Sequence, residues 1–119
     1  MTDQDQIIDN IEVVTFTGPR GSRAVEAKVD TGAYRSSLDS GLAQELGLLD
    51  PANIVEYKKI TNSLGESMRP VVHCQLQLAT KQLTTEVGVI DRSSLRYRAI
   101  IGRKDLAGFL VRPDPHLNH

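Results

Sequence analysis

Asp30, Thr31 and Gly32 are the residues whose types and order most readily do chemistry. Ahead of them Val25, Ala27 and Val29 alternate with Glu26 and Lys28, so the carboxylate stands at the end of a half-buried strand, on a tight turn. Gly32 has no side chain to obstruct a partner or substrate approaching that turn. Two carboxyls sharing one proton can hydrolyse an amide: the ionised one activates water and the protonated one polarises the carbonyl. The triplet occurs once in the chain. The second Asp30 must therefore come from a symmetric copy, across an isologous two-fold interface centred on the site. The Thr31 hydroxyl is suited to tying two such loops together.

Other reactive side chains have plainer readings. Cys74 is the sole cysteine and falls on the apolar phase of its strand, which makes it a small core residue rather than a nucleophile. His73 lies beside it, while His116 and His119 sit in a proline-rich tail with no carboxylate at ligand spacing. No metal site is expected. Ser36 and Ser37 have no histidine near them and read as hydroxyls that satisfy backbone groups. Lys58 and Lys59 read as a solvated strand end, and Arg69, Asp91 and Arg92 as surface or strand-end charges in weak pairs.

The elements that must position Asp30 are mainly strands. Ile11 to Phe16 and Val25 to Val29 form a hairpin around Gly18 to Arg23, and the second strand runs into the triplet. Leu38, Leu42, Ala43 and Leu46 recur at helical spacing, with Asp39 or Ser40 as N-cap and Gly47 as the stop. Residues 54 to 60 predict a strand, and the polar turn from Thr61 to Ser67 makes a projecting hairpin with the run from Met68 to Ala79. In that run Val72, Cys74, Leu76 and Leu78 alternate with polar residues, and Leu83, Val87 and Val89 continue the rhythm. Tyr97 to Ile101 is a short strand meeting Gly102, and Lys104 to Phe109 predicts one or two helical turns before Pro113 and Pro115.

A chain of 119 residues without an internal shift in composition fits one domain with a modest core. Fourteen Lys and Arg balance 15 Asp and Glu, which leaves no basic field for nucleic acid or an anionic membrane. No stretch approaches the roughly 18 apolar residues of a membrane span, and the polar N-terminus does not read as a signal peptide. A cytoplasmic location is expected. Residues 1–9 read as a loosely held terminus, residues 10–113 as the domain and residues 114–119 as a tail.

Two segments and their order carry a family resemblance. Val29-Asp30-Thr31-Gly32-Ala33 is matched some seventy residues later by Ile100-Ile101-Gly102-Arg103, with a hairpin between them. Together these resemble retropepsins, the single-motif aspartic peptidases. The resemblance extends over roughly Ile11 to Pro113. It runs closest to a bacterial and archaeal group named ATP-dependent zinc proteases, associated with RimK-type ATP-grasp ligases, through Tyr34-Arg35-Ser36-Ser37, Arg69-Pro70-Val71-Val72, Asp91-Arg92-Ser93-Ser94 and Ile101 to Leu106.

The resemblance implies a closed antiparallel β barrel of retropepsin type with one or two short helices, acting as a homodimer without cofactor. It implies catalytic Asp30, Thr31 and Gly32, and substrate contacts from Ala33, Tyr34 and Arg35. Leu64 and Gly65 would belong to a flap, and Gly102 and Arg103 would support the catalytic loop and open a C-terminal helix. Retroviral members carry an acid soon after the triplet that pairs with this arginine; here Tyr34 and Arg35 stand in those positions, and Arg103 is expected to turn to Asp105 or Asp91. Arg35 beside the cleft implies a preference for acidic peptide groups. The expected activity is hydrolysis of peptide or isopeptide-like amide bonds. The alternatives are a non-catalytic dimeric module partnering an ATP-grasp ligase, and a metal-dependent hydrolase.

Overall fold

A computed structural model describes residues 6–113. Nine strands, one short helix and two 3-10 turns make up the described residues. Strands β2 (Ile11–Gly18) and β3 (Gly21–Val29) form the expected hairpin, closed by Pro19 and Arg20. Strand β4 (Ser37–Asp39) leads into helix α1 (Ser40–Glu45), and β5 (Ile54–Asn62) and β6 (Gly65–Leu78) form a long hairpin. Strand β7 (Lys81–Ile90) pairs back on β6, β8 is Ala99–Ile101, and β9 is Phe109–Arg112.

Six strands close into a barrel in the order β2, β3, β8, β4, β7, β6 and back to β2. The ring is antiparallel except at β3–β8 and β4–β7, which are parallel. The β3–β8 pairing matters most for the site: Ala27, Lys28 and Val29 lie beside Ala99, Ile100 and Ile101, so Asp30 and Gly102 leave the barrel together. Closure leaves no edge within the ring. β5 pairs only with β6 and extends beyond it as the projecting hairpin.

Alternation along the strands fills the barrel. Val72, Cys74, Leu76 and Leu78 point inward from β6, and Val87 and Val89 from β7; they meet Val14, Phe16, Ala27, Leu38 and Ile101 in one core. Cys74 is part of that core, where burial pushes its thiol up to about 12. That is the small apolar role expected of it.

Three elements differ from the sequence reading. Gln6–Asp9, expected to be loose, forms strand β1, parallel to β9 and tied to it by the Arg112 guanidinium on Asp9. Ile8 supplies the reason, because it is buried in the core beside Phe109. Leu38 lies on strand β4 rather than on the helix, since it closes the ring between β7 and β8; the helix begins only at Ser40, with Asp39 as its cap. The segment after Gly102 makes only a 3-10 turn, Arg103–Asp105, and Phe109 then opens β9 instead of ending a helix. Residues 114–119 lie outside the described residues. No helix among the described residues is long and apolar enough to cross a membrane.

Asp39 is the most heavily used acid in this frame. It is 1 % exposed, and its carboxylate accepts from Gly41 N and Leu42 N of α1, from Arg92 N and from the Arg98 guanidinium. Burial raises its pKa, but the Arg98 hydrogen bond and the backbone donors of Arg92 and Leu42 outweigh burial and hold it below the usual carboxylate value. A lowered folded-state pKa gives stability that is present above the unfolded value, about 4, and is lost as pH falls through the folded one. Asp39→Ala is expected to cost about 2–4 kcal/mol at pH 7 in urea unfolding, with the deficit shrinking toward pH 2.5.

Candidate active site

Asp30 leaves β3 on a turn built from its own atoms. Ala33 N donates to Asp30 O at 3.1 Å, and Gly32 N donates to the Asp30 Oδ1 at 2.9 Å. One carboxylate oxygen is therefore oriented by a backbone donor. The other meets no donor among the described residues, and Asp30 is only half-buried.

The segment beginning at Ile101 clamps this loop. Asp30 N donates to Ile101 O, Arg103 N to Ala33 O and Lys104 N to Tyr34 O, at 2.8 to 2.9 Å. Gly102 is required here by close approach: a Cβ would lie 2.6 Å from Tyr34 O and 2.7 Å from the Arg35 carbonyl carbon. Arg103 neither pairs with Asp105 nor with Asp91. Its guanidinium donates to Thr31 O at 2.9 Å and lies 5.9 Å from the centre of the Tyr34 ring. Asp105 is not free to pair with it, being already engaged by other donors.

That engagement is a buried network the sequence did not reveal. Ser36 Oγ donates to Asp105 Oδ2 and Thr85 Oγ1 to Asp105 Oδ1, each at 2.6 Å, while Ser36 Oγ accepts from Gly102 N at 3.0 Å. Gly88 N completes the anchorage by donating to Ser36 O. Ser36 thus has the backbone-satisfying role expected of it. Thr85 gave no signal beyond its place in an alternating strand, and Asp105 was expected to face Arg103.

Asp30 through Arg35 share one loop, with Gly102 and Arg103 packed behind it. Tyr34 is 59 % exposed. Leu64 and Gly65 lie elsewhere, at the tip of the β5–β6 hairpin, where Asn62 Oδ1 accepts from Leu64 N and Gly65 takes a φ of 122°. Leu64 is 96 % exposed, and no hydrogen bond joins the tip to the Asp30 loop among the described residues. Arg92 is not a surface charge. It is buried, with Nε donating to Tyr97 O; burial lowers its pKa, opposed by the charges of Asp39 and Asp30. With Lys28, Arg96 and Tyr97 it lines a groove of about 370 Å³ that includes no residue of the Asp30 loop. No group of three or more His, Cys, Asp and Glu side chains converges as a metal site among the described residues.

A six-stranded barrel whose triplet loop is clamped by an Ile-Ile-Gly-Arg segment, with one long hairpin projecting, is a retropepsin-like fold. The solution structure of the Simian foamy virus (mac) protease matches it with a TM-score of 0.58 at 14% identity, over 80% of this chain and 89% of that one. The crystal structure of Lpg0085, a Legionella pneumophila protein of unknown function (DUF785), matches with a TM-score of 0.55 at 21% identity, over 93% and 94% of the two chains. No curated protein sequence matches the chain. The family model described as RimB-like, retropepsin-like aspartic endopeptidase RimB, matches residues 49–119. The chain belongs to this RimB-like family. The matched region holds the hairpin and the Gly102 clamp and begins after Asp30.

Two substitutions test the clamp. Gly102→Ala drives a Cβ into backbone rather than into a movable side chain, and is expected to cost about 1–3 kcal/mol in urea unfolding. Asp105→Ala strips the acceptor from the buried Ser36 and Thr85 hydroxyls and is expected to cost a similar amount.

Proposed function

We propose that this protein is an aspartic endopeptidase that hydrolyses peptide or isopeptide-like amide bonds as a homodimer, with Asp30 supplied once by each subunit. The observation that carries the reading is the Asp30 loop itself. Its carboxylate has one oxygen fixed by Gly32 N and the other open, on a loop held rigid from behind. Family membership supports the reaction class.

In the proposed reaction the ionised Asp30 takes a proton from water, which attacks the scissile carbonyl carbon, while the protonated Asp30 of the other subunit gives its proton to the carbonyl oxygen. The resulting diol collapses with cleavage of the C–N bond and proton transfer to the leaving nitrogen. Thr31 ties the two loops across the axis, Gly32 and Ala33 floor the cleft, and Tyr34 and Arg35 line it. The β5–β6 hairpin, tipped by Leu64 and Gly65, serves as the flap that covers substrate and excludes water. Arg35 favours acidic groups in the peptide. No step uses a metal or cofactor.

Asp30→Asn tests the assignment. Hydrolysis should fall to background, with the urea midpoint and sedimentation behaviour unchanged; cleavage that survives the substitution would sink the catalytic role and favour a dimeric binding module for an ATP-grasp ligase. Specific activity of the wild-type chain should rise with protein concentration, and then plateau as the dimer fills. Arg35→Ala should narrow the kcat/KM advantage of acidic over neutral peptides, and an unchanged ratio would remove Arg35 from specificity.

A further inference from the structure

The root of the flap carries a charge arrangement that folding alone does not favour. Lys58 on β5 and Arg69 on β6 are register partners, directly opposite and on one face of the hairpin, where like charges oppose pairing. Neither side chain has a hydrogen bond or ion pair among the described residues, although Lys59 next door is paired with Glu66 at 3.2 Å. Both line a cavity of about 360 Å³ together with Lys59 and with Arg35 from the segment following the triplet. No carboxylate lines it. Ile60, Val71 and Ile90 add apolar lining. Arg35 contributes a further oddity, for its Nε is buried without a hydrogen-bond partner.

Of the four cationic residues lining the cavity, Lys59 is held by Glu66; the other three have no acid, and with one buried donor unsatisfied they make a receptor for an oxyanion. An N–H donor out of water is costly unless an acceptor reaches it. Guanidinium groups engage carboxylate and phosphate oxygens in pairs.

We propose that Arg35, Lys58 and Arg69 form an anion-binding site for a carboxylate or phosphate group, which bridges the flap root to the catalytic loop. Two of its cations belong to the flap and the third to the loop, so a bound anion replaces repulsion within the hairpin by attraction shared between the two bodies. An anionic ligand therefore draws the flap onto the loop. Its role in flap closure rests on the peptidase reading above; the binding site does not.

The test uses the full-length Asp30→Asn chain, so that binding is read without turnover. Inorganic phosphate is titrated at constant ionic strength, adjusted with sodium chloride, while the Arg35 Nε–H resonance and amide hydrogen exchange over residues 54–71 are followed. A saturable shift of that resonance and slower exchange in the hairpin are expected. Lys58→Ala and Arg69→Ala should each weaken binding by about tenfold. Arg69→Gln should raise the urea midpoint in phosphate-free buffer, because it relieves the cross-strand repulsion; a merely solvated charge pair would leave that midpoint unmoved.

A second arm adds a peptide bearing a side-chain carboxylate, with its amide analogue as control. Competition with phosphate by the acidic peptide alone assigns the site to a substrate group, and absence of competition assigns it to a free anion. Shifts that follow ionic strength only, or that persist when Lys58 and Arg69 are both replaced by Ala, would overturn the proposal. Loss of hydrolysis in the wild-type chain with saturable binding intact would instead overturn the peptidase reading and leave the anion site standing.

Discussion

The structure depends on one close approach, that of Gly102 to the backbone of Tyr34 and Arg35. Residues 30–36 and 101–105 are joined by backbone hydrogen bonds from Asp30, Arg103 and Lys104, and a side chain at residue 102 would separate the two segments. Because the parallel β3–β8 pairing delivers both segments to the same end of the barrel, the clamp fixes the direction in which Asp30 leaves the sheet. For the proposed peptidase such rigidity is an advantage, since catalysis rewards geometry that does not have to be assembled at the moment of reaction. The β5–β6 hairpin has no such clamp, and β5 is paired on one side only.

Behind the clamp, a buried acid has taken a different job from the one its neighbourhood suggests. Asp105 stands two residues from Arg103, yet its oxygens accept from Ser36 and Thr85, and the arginine turns outward to Thr31 O and the Tyr34 ring. Hydroxyl donors satisfy the carboxylate locally, while Arg103 stays partly in water, where a guanidinium costs little. The same substitution of roles explains how Tyr34 and Arg35 can occupy positions after the triplet. Arg103 needs no acid there once a carbonyl and an aromatic face receive it.

Much of this was legible in the sequence for identifiable reasons. Strict alternation from Val72 to Leu78 and from Val25 to Val29 reports a barrel wall because each residue has only two sides to choose between. The N-cap, narrowed to Asp39 or Ser40, and the Gly47 stop were legible because helix ends demand particular chemistry. What escaped was long-range. Leu38 fits a helical pattern equally well, and only its neighbours on β7 and β8 make it a strand residue. Ile8 is one apolar residue in a polar terminus, too little to announce β1 without Phe109 beside it. Arg92 and Thr85 look like surface residues until the loops that bury them are in place.

The distribution of charge around the site follows from how the acids are used. The formal net charge is only −1, yet many carboxylates are already committed to structure: Asp9 to Arg112, Asp39 to α1 and Arg98, Glu45 to Arg23, Glu66 to Lys59, Glu86 to Lys104, and Asp50 and Asp91 to backbone caps. Arg35, Lys58 and Arg69 receive none of them, and Arg92 spends its Nε on a carbonyl. The surroundings of Asp30 are therefore more cationic than the chain as a whole, and the bias comes from where acids are absent rather than from an excess of bases. Such a field draws anionic groups toward it. An overall charge count averages this asymmetry away, because it cannot see which acids are already engaged.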